Sequence, residues 1–193
     1  MAFSDMEQNY LLTVAKQSIE NGVNTGSHKP IEPGGLPEEL IHLNVDQACF
    51  VTLNMDDQLR GCIGSLEAIR PLIEDVSQNA FNAAFRDPRF NPVKQVETER
   101  LNVEISVLTP PEAMGSFPTI EDLLAQLRPQ QDGLIISDGL RRATFLPSVW
   151  EQLPDDRLFV QQLMRKAGIH AWSERIHCER YTSFSFKSDW LEI

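Results

Sequence analysis

Several residue types and patterns are in short supply in this chain, and each shortage removes a class of function. Cysteine occurs only as Cys49, Cys62 and Cys178. An odd number with no pair of C-x-x-C arrangements excludes a disulfide framework and a zinc ribbon, so the thiols are read as reduced. The four histidines (His28, His42, His170, His177) show no H-x-x-x-H spacing, and no P-loop or dinucleotide-binding glycine pattern occurs. No metal and no cofactor is therefore expected. Basic residues are outnumbered: 17 Lys and Arg against 28 Asp and Glu leave a formal charge of -11. Such a chain repels phosphate backbones at long range, which excludes non-specific nucleic-acid binding but leaves room for a small local basic pocket. Long apolar runs are missing too. Ala48–Leu53 and Gly133–Ile136 fall far short of the roughly 20 residues that cross a bilayer. The opening Met1-Ala2-Phe3-Ser4-Asp5-Met6-Glu7 has neither the basic start nor the apolar stretch of a secretory signal. The expectation is a cytoplasmic protein without membrane contact.

What is present reads as an ordinary globular domain. With 193 residues, 41% hydrophobic and 23% charged, the chain can bury a substantial core, and residues 1–193 are read as one domain with room for two lobes. Ser4-x-x-Glu7 is a capping box, after which Met6, Tyr10, Val14 and Ile19 keep helical spacing as far as Asn21-Gly22. Val23–Pro37 has the Gly, Pro, Asn and Ser content of a loop. Ala48–Leu53, the turn Met55-Asp56-Asp57-Gln58 and Leu59–Gly64 form a β-hairpin. Pro71 opens a helix with the apolar stripe Leu72, Ile73, Val76, Ala80 and Ala83, closed at Asp87-Pro88 because the residue before proline resists helical geometry. Leu101–Leu108 alternates apolar and polar as a half-buried strand.

In the C-terminal half, Thr119–Leu127 is read as a helix, and Gly133–Ser137 with Arg142–Leu146 as a second hairpin about Asp138-Gly139. A short helix follows from Pro147 to Leu153. A longer one covers Asp155–Ala167 and stops at Gly168, and Tyr181–Phe186 alternates as a last strand. Hairpins with helices between groups of strands predict an α+β fold, a largely antiparallel sheet flanked by helices, rather than a βαβ array.

Two segments have a composition that could carry chemistry. In Leu59-Arg60-Gly61-Cys62-Ile63-Gly64 the strand period puts Arg60, Cys62 and Gly64 on one face and Leu59, Gly61 and Ile63 on the other. A guanidinium next to a thiol favours the nucleophilic thiolate, and the glycines would let a ligand approach the backbone. The plainer alternative is that Cys62 fills space and Arg60 pairs with an acid. In Ala83-Ala84-Phe85-Arg86-Asp87-Pro88-Arg89-Phe90 a helix end delivers Asp87 between arginines. There Arg89 either joins Arg60 in holding a carboxylate or phosphate by its planar fork, or ties the helix to the sheet. The resulting site is Cys62 as the catalytic candidate and Arg60, Gly61, Gly64, Asp87 and Arg89 as ligand-binding candidates. His177-Cys178 cannot grip one atom jointly, since neighbours on a strand point to opposite faces. Trp150, Phe159 and Trp172 are read as core anchors.

Taken together, Cys49–Leu53, Leu59–Gly64, Ala83–Phe90, Ile105–Leu108, Asp132–Ile135, Ala143–Pro147 with Val149-Trp150, and Lys166–Gly168 resemble the AMMECR domain family, whose prokaryotic members are called AmmeMemoRadiSam system protein A. The hexapeptide is the specific part of the match. Cys49 departs from it, standing where the family more often has a small residue such as glycine or alanine. The resemblance covers essentially the whole chain. It implies a larger and a smaller subdomain with the hexapeptide at or near the cleft between them, and a genomic association with a Memo-like protein and a radical SAM protein. It implies no particular reaction. Three readings stand side by side: an enzyme whose cleft holds a small anionic or nucleotide-like ligand by Arg60 and Arg89, with Cys62 attacking or positioning it within a modification pathway, a non-catalytic scaffold or adapter that binds a protein or RNA partner, or a hexapeptide needed only for architecture.

Overall fold

The computed structural model describes residues 3–31 and 36–193. They form two compact units, one of Met1–Leu108 with Phe184–Ile193 and one of Thr109–Ser183. The elements run α1 (Asp5–Thr25), β1 (Cys49–Met55), β2 (Gln58–Gly64), α2 (Leu72–Phe85), β3 (Leu101–Leu108), β4 (Glu112–Ser116), α3 (Ile120–Leu124), β5 (Gly133–Asp138), β6 (Arg141–Phe145), α4 (Asp156–Ala167), β7 (His177–Tyr181) and β8 (Ser183–Asp189), with short 3-10 helices at Glu38–Asn44, Gln95–Arg100, Pro147–Glu151 and Trp190–Glu192. Two four-stranded sheets result, ordered β2-β1-β3-β8 and β4-β7-β5-β6. The pairings of β1 with β2 and β3, and of β7 with β4 and β5, are antiparallel, as is the β5–β6 hairpin. Helices and antiparallel sheets in one chain make the α+β fold that the pattern predicts.

In the first unit α2 lies between α1 on one side and β1 and β2 on the other. That double contact buries polar positions of α2, Asp75, Ser77 and Asn79, along with its apolar stripe. Helix α1 starts at the expected capping box but continues one turn past Gly22 to a left-handed cap at Gly26. Gly22 is internal because a Cβ there would come 2.2 Å from the Phe85 ring, so the glycine serves the approach of α1 to α2 rather than a helix stop. Of the loop read over Val23–Pro37, residues 32–35 lie outside the described residues. Strand β3 spans Leu101–Leu108 as read, with Leu101, Val103, Ile105 and Val107 buried.

The second unit has its own core. Trp150 stacks on Phe159 at 3.8 Å between ring centres and donates its indole N–H to the Asp132 carbonyl at 2.7 Å. The stretch read as one last strand is two: β7 belongs to the second sheet and β8 to the first, divided at Thr182. There the ladder gives way to a side chain, with Thr182 N donating to Thr109 Oγ1 at 2.9 Å. On β7, Cys178 is buried and His177 exposed, on opposite faces as expected. Among the described residues, no helix is long and apolar enough to cross a membrane.

Candidate functional site

The hairpin that carries the hexapeptide turns through Asp56 and Asp57, both with positive φ, the backbone of a tight two-residue turn whose twist suits the flanking strands. The two strands are not in simple register. Leu53 faces Gly61 and Asn54 faces Leu59, so Arg60 is the extra residue of a β-bulge. Residues directly opposite in an antiparallel pair share a face, so the bulge moves Leu59 to the side of Asn54 and Cys62 and away from Gly61. That corrects strict alternation, and it leaves Leu59 43% exposed. Gly61 and Gly64, read from the sequence as openings for a ligand, face protein instead. A Cβ on Gly61 would lie 2.1 Å from the Ala83 carbonyl oxygen of α2, and one on Gly64 2.2 Å from the Phe50 ring. Both glycines are accounted for by close packing.

Arg60 is engaged away from Cys62. Its guanidinium makes a two-point contact with Glu97, Nε to Oε1 at 3.0 Å and Nη2 to Oε2 at 3.2 Å, with only 11% of the side chain exposed. Its Nη1 is buried without a hydrogen-bond partner among the described residues. The Arg60 hydrogen bonds hold the Glu97 carboxyl below its ordinary range against the opposing effect of burial. Cys62 accepts a hydrogen bond from Thr52 Oγ1 at 3.3 Å. Burial pushes its thiol up, a direction that the Thr52 contact and Arg89 counter only in part and that Asp87 and Glu104 reinforce. Arg60, the activator read from the sequence, is not among the groups that weigh most on the thiol. A thiol raised in this way stays protonated at neutral pH and is a poor nucleophile.

Asp87 and Arg89 act as one clamp on β2. The Asp87 side chain is 1% exposed. Its Oδ2 accepts Cys62 N at 2.9 Å and Arg89 Nη2 at 2.6 Å, while Oδ1 accepts Arg89 N at 3.1 Å and Nε at 2.9 Å. Arg89 Nη2 also donates to the Cys62 carbonyl at 3.2 Å. The Arg89 hydrogen bonds hold the Asp87 carboxyl well below the usual carboxylate range. Asp87 is thus occupied in positioning Arg89 and β2, whereas Arg89, 52% exposed, presents charge to solvent.

These elements surround a surface pocket of about 510 Å³ built from the first unit alone. Its wall holds three cations, Arg60, Arg89 and Lys94, against one carboxylate, Glu97, with Phe90 and Val96 as apolar surface. The Arg89 guanidinium lies over the Phe90 ring, 5.4 Å from its centre. The volume falls in the range of sites for small organic ligands rather than for a bare ion. Lys94, Glu97 and Val96 were not read from the sequence. The only local signal is Lys94-x-x-Glu97, in which the glutamate accepts the Lys94 backbone N–H at 2.8 Å. A second buried polar group, also not read, joins α2 to the start of β1: Asp75 accepts Cys49 N at 2.9 Å, Ser65 Oγ at 2.8 Å and Asn79 Nδ2 at 2.9 Å.

The fold and the site define a two-sheet α+β protein in which a clamped R-x-C strand borders a cationic pocket. Comparison with known proteins bears on the family and the fold. The AMMECR1 family model matches residues 12–186. A protein of Thermococcus onnurineus is 36% identical over 193 residues, covering 94% of this chain and 90% of the relative. One of Thermotoga maritima is 35% identical over 173 residues, covering 88% and 92%. The crystal structure of an uncharacterised protein from Pyrococcus horikoshii superposes with a TM-score of 0.84 at 32% identity, over 97% of this chain and 94% of that one. The chain belongs to the AMMECR1 family.

Proposed function

We propose that the pocket beside β2 binds a small anionic, nucleotide-like ligand and that this chain serves as its binding component rather than as a cysteine nucleophile. The observation that carries this reading is the gathering of Arg60, Arg89 and Lys94 around one pocket, an excess of one cation over the paired carboxylates Glu97 and Asp87, in a chain whose net charge is -11. Long-range repulsion from the rest of the surface makes such a local patch selective for a compact anion over a polyanion. Arg60 Nη1, buried without a partner among the described residues, is a further donor on the same guanidinium that a shift of the side chain on binding would bring to an anion oxygen. Phe90 and Val96 give the body of the ligand an apolar wall. In this reading the Memo-like and radical SAM proteins that the family resemblance implies would carry out chemistry on the bound molecule.

Calorimetric titration with adenosine monophosphate tests it. Arg60→Ala and Arg89→Ala should each weaken binding by roughly tenfold or more, equivalent to about 1.4 kcal/mol, while Cys62→Ser leaves it unchanged. Loss of binding on Cys62→Ser with Arg89→Ala unaffected would turn the reading back to a cysteine enzyme. A second reading, an adapter that holds a protein segment, is favoured by Leu59 and Val96, next in sequence to the paired Arg60 and Glu97 and 43% and 83% exposed. Under it, Leu59→Ser, outside the pocket lining, should abolish capture of the partner and leave nucleotide binding intact.

A further inference from the structure

The geometry points to Glu97 as an internal competitor for the anion site, one that selects phosphate monoesters over carboxylates. This inference rests on the reading of the pocket as an anion site and adds the ligand class and the residue that sets it. The Arg60 fork is already filled in the two-point manner in which arginine takes a carboxylate, and the group filling it belongs to the pocket wall. Any ligand anion that seeks Arg60 must therefore share it with Glu97 or displace it.

The exchange has different outcomes for different anions. A ligand carboxylate replaces one monoanion by another and leaves Glu97 without its guanidinium inside the same pocket. It also competes against a group tethered to the chain, whose effective concentration is on the order of millimolar or above. A phosphate monoester brings close to two charges near neutral pH and three acceptor oxygens. One edge can meet Arg60 while another oxygen reaches toward Arg89 or Lys94, both on the same wall. Only the second kind of ligand gains contacts in the exchange.

The element that carries Glu97 is suited to such a role. Gln95–Arg100 is a 3-10 helix, a tighter and less well hydrogen-bonded turn than an α-helix, and is tied down internally by Thr98 Oγ1 donating to the Gln95 carbonyl at 2.9 Å. Glu97 holds the entry to this turn through the Lys94 N–H. A glutamine there keeps an oxygen for that bond while removing the charge that competes for Arg60.

Phenyl phosphate and benzoate, which share a ring and differ in the anion, are the probes. The wild-type protein should bind phenyl phosphate roughly tenfold or more tighter than benzoate, and Glu97→Gln should bind benzoate roughly tenfold or more tighter than the wild type does, narrowing the preference. Glu97→Asp, which keeps the charge but withdraws it by one methylene, should move the same way and stands in if the glutamine variant does not fold. Arg60→Ala should remove most of the phenyl phosphate affinity. If both Glu97 variants bind the probes equally well or more weakly than the wild type, Glu97 merely positions Arg60 and the inference is overturned. If wild type and variants bind neither probe nor adenosine monophosphate, the anion site itself falls, an outcome distinct from the first.

Discussion

Asp87→Asn should loosen β2 from the end of α2, and its size can be worked from the contacts. The carboxylate is almost wholly buried and accepts four hydrogen bonds, two on each oxygen. Asparagine keeps the shape but turns one oxygen into a donor that faces donors, so two of the four are lost. Hydrogen bonds to a charged group contribute about 1.5–3 kcal/mol each, and those from the half-exposed Arg89 count for less because solvent screens them. The expected loss is about 2–4 kcal/mol, read from the urea midpoint by circular dichroism at unchanged slope. The pH dependence has a definite sign. Because the folded carboxyl is held below its usual range, its contribution is complete above the unfolded value of about 3.9 and is lost as pH falls toward the folded value. The gap between wild type and Asp87→Asn should thus shrink between about pH 5 and about pH 3. A variant within about 0.5 kcal/mol of the wild type at neutral pH, the scale of an ordinary surface change, or a gap that widens on acidification, would refute the clamp.

Two further substitutions and one reactivity measurement probe the rest. Gly61→Ala places a Cβ 2.1 Å from the Ala83 carbonyl oxygen; overpacking of about 1–3 kcal/mol, offset by about 0.4–1 kcal/mol from the stiffer unfolded chain, should lower the thermal midpoint, and an unchanged midpoint would show that Gly61 is not a packing glycine. Trp150→Ala removes a ring stacked on Phe159 and a donor to Asp132, so a loss of about 3–5 kcal/mol is expected on unfolding of the second unit; a loss near zero would mean that this core does not depend on the stack. Cys62 should react with iodoacetamide at neutral pH no faster than a free thiol, with a midpoint above the ordinary value of about 8.5; a midpoint below that would restore the nucleophile.

How far the sequence announces this structure depends on the range of the interaction. Strand β3 is legible because one face is core and the other is not, so Leu101, Val103, Ile105 and Val107 alternate cleanly. Strand β4 is not, since Glu112–Ser116 has no apolar run, and β7 is legible only in part: His177-Cys178 reads as strand, but the polar Glu179-Arg180 hides its continuity to Tyr181, which pairing with β4 and β5 supplies. The Asp87–Arg89 pair is two residues apart and shows as a local cluster. The Arg60–Glu97 pair is separated by 37 residues, and the segment around Glu97 reads as a solvated polar turn. The bulge at Arg60 leaves no trace either, since the hexapeptide fits strict alternation equally well. Asp75 and Asn79 are buried because α2 is covered on two sides, whereas an amphipathic stripe discloses only one.

The hydrogen bonds that Asp87 and Arg89 make to Cys62 bear on how a protein could attach here. Strand β2 ends its sheet, and an edge strand ordinarily offers its outward N–H and C=O groups to any extended segment that comes alongside. At Cys62 both are taken, the N–H by a carboxylate and the carbonyl by a guanidinium. The two side chains thus do for the middle of β2 what a fifth strand would, and they close it to recruitment by backbone pairing. A partner meeting this face would have to recognise side chains, and a second copy of the chain could not extend the sheet from it without first displacing the pair.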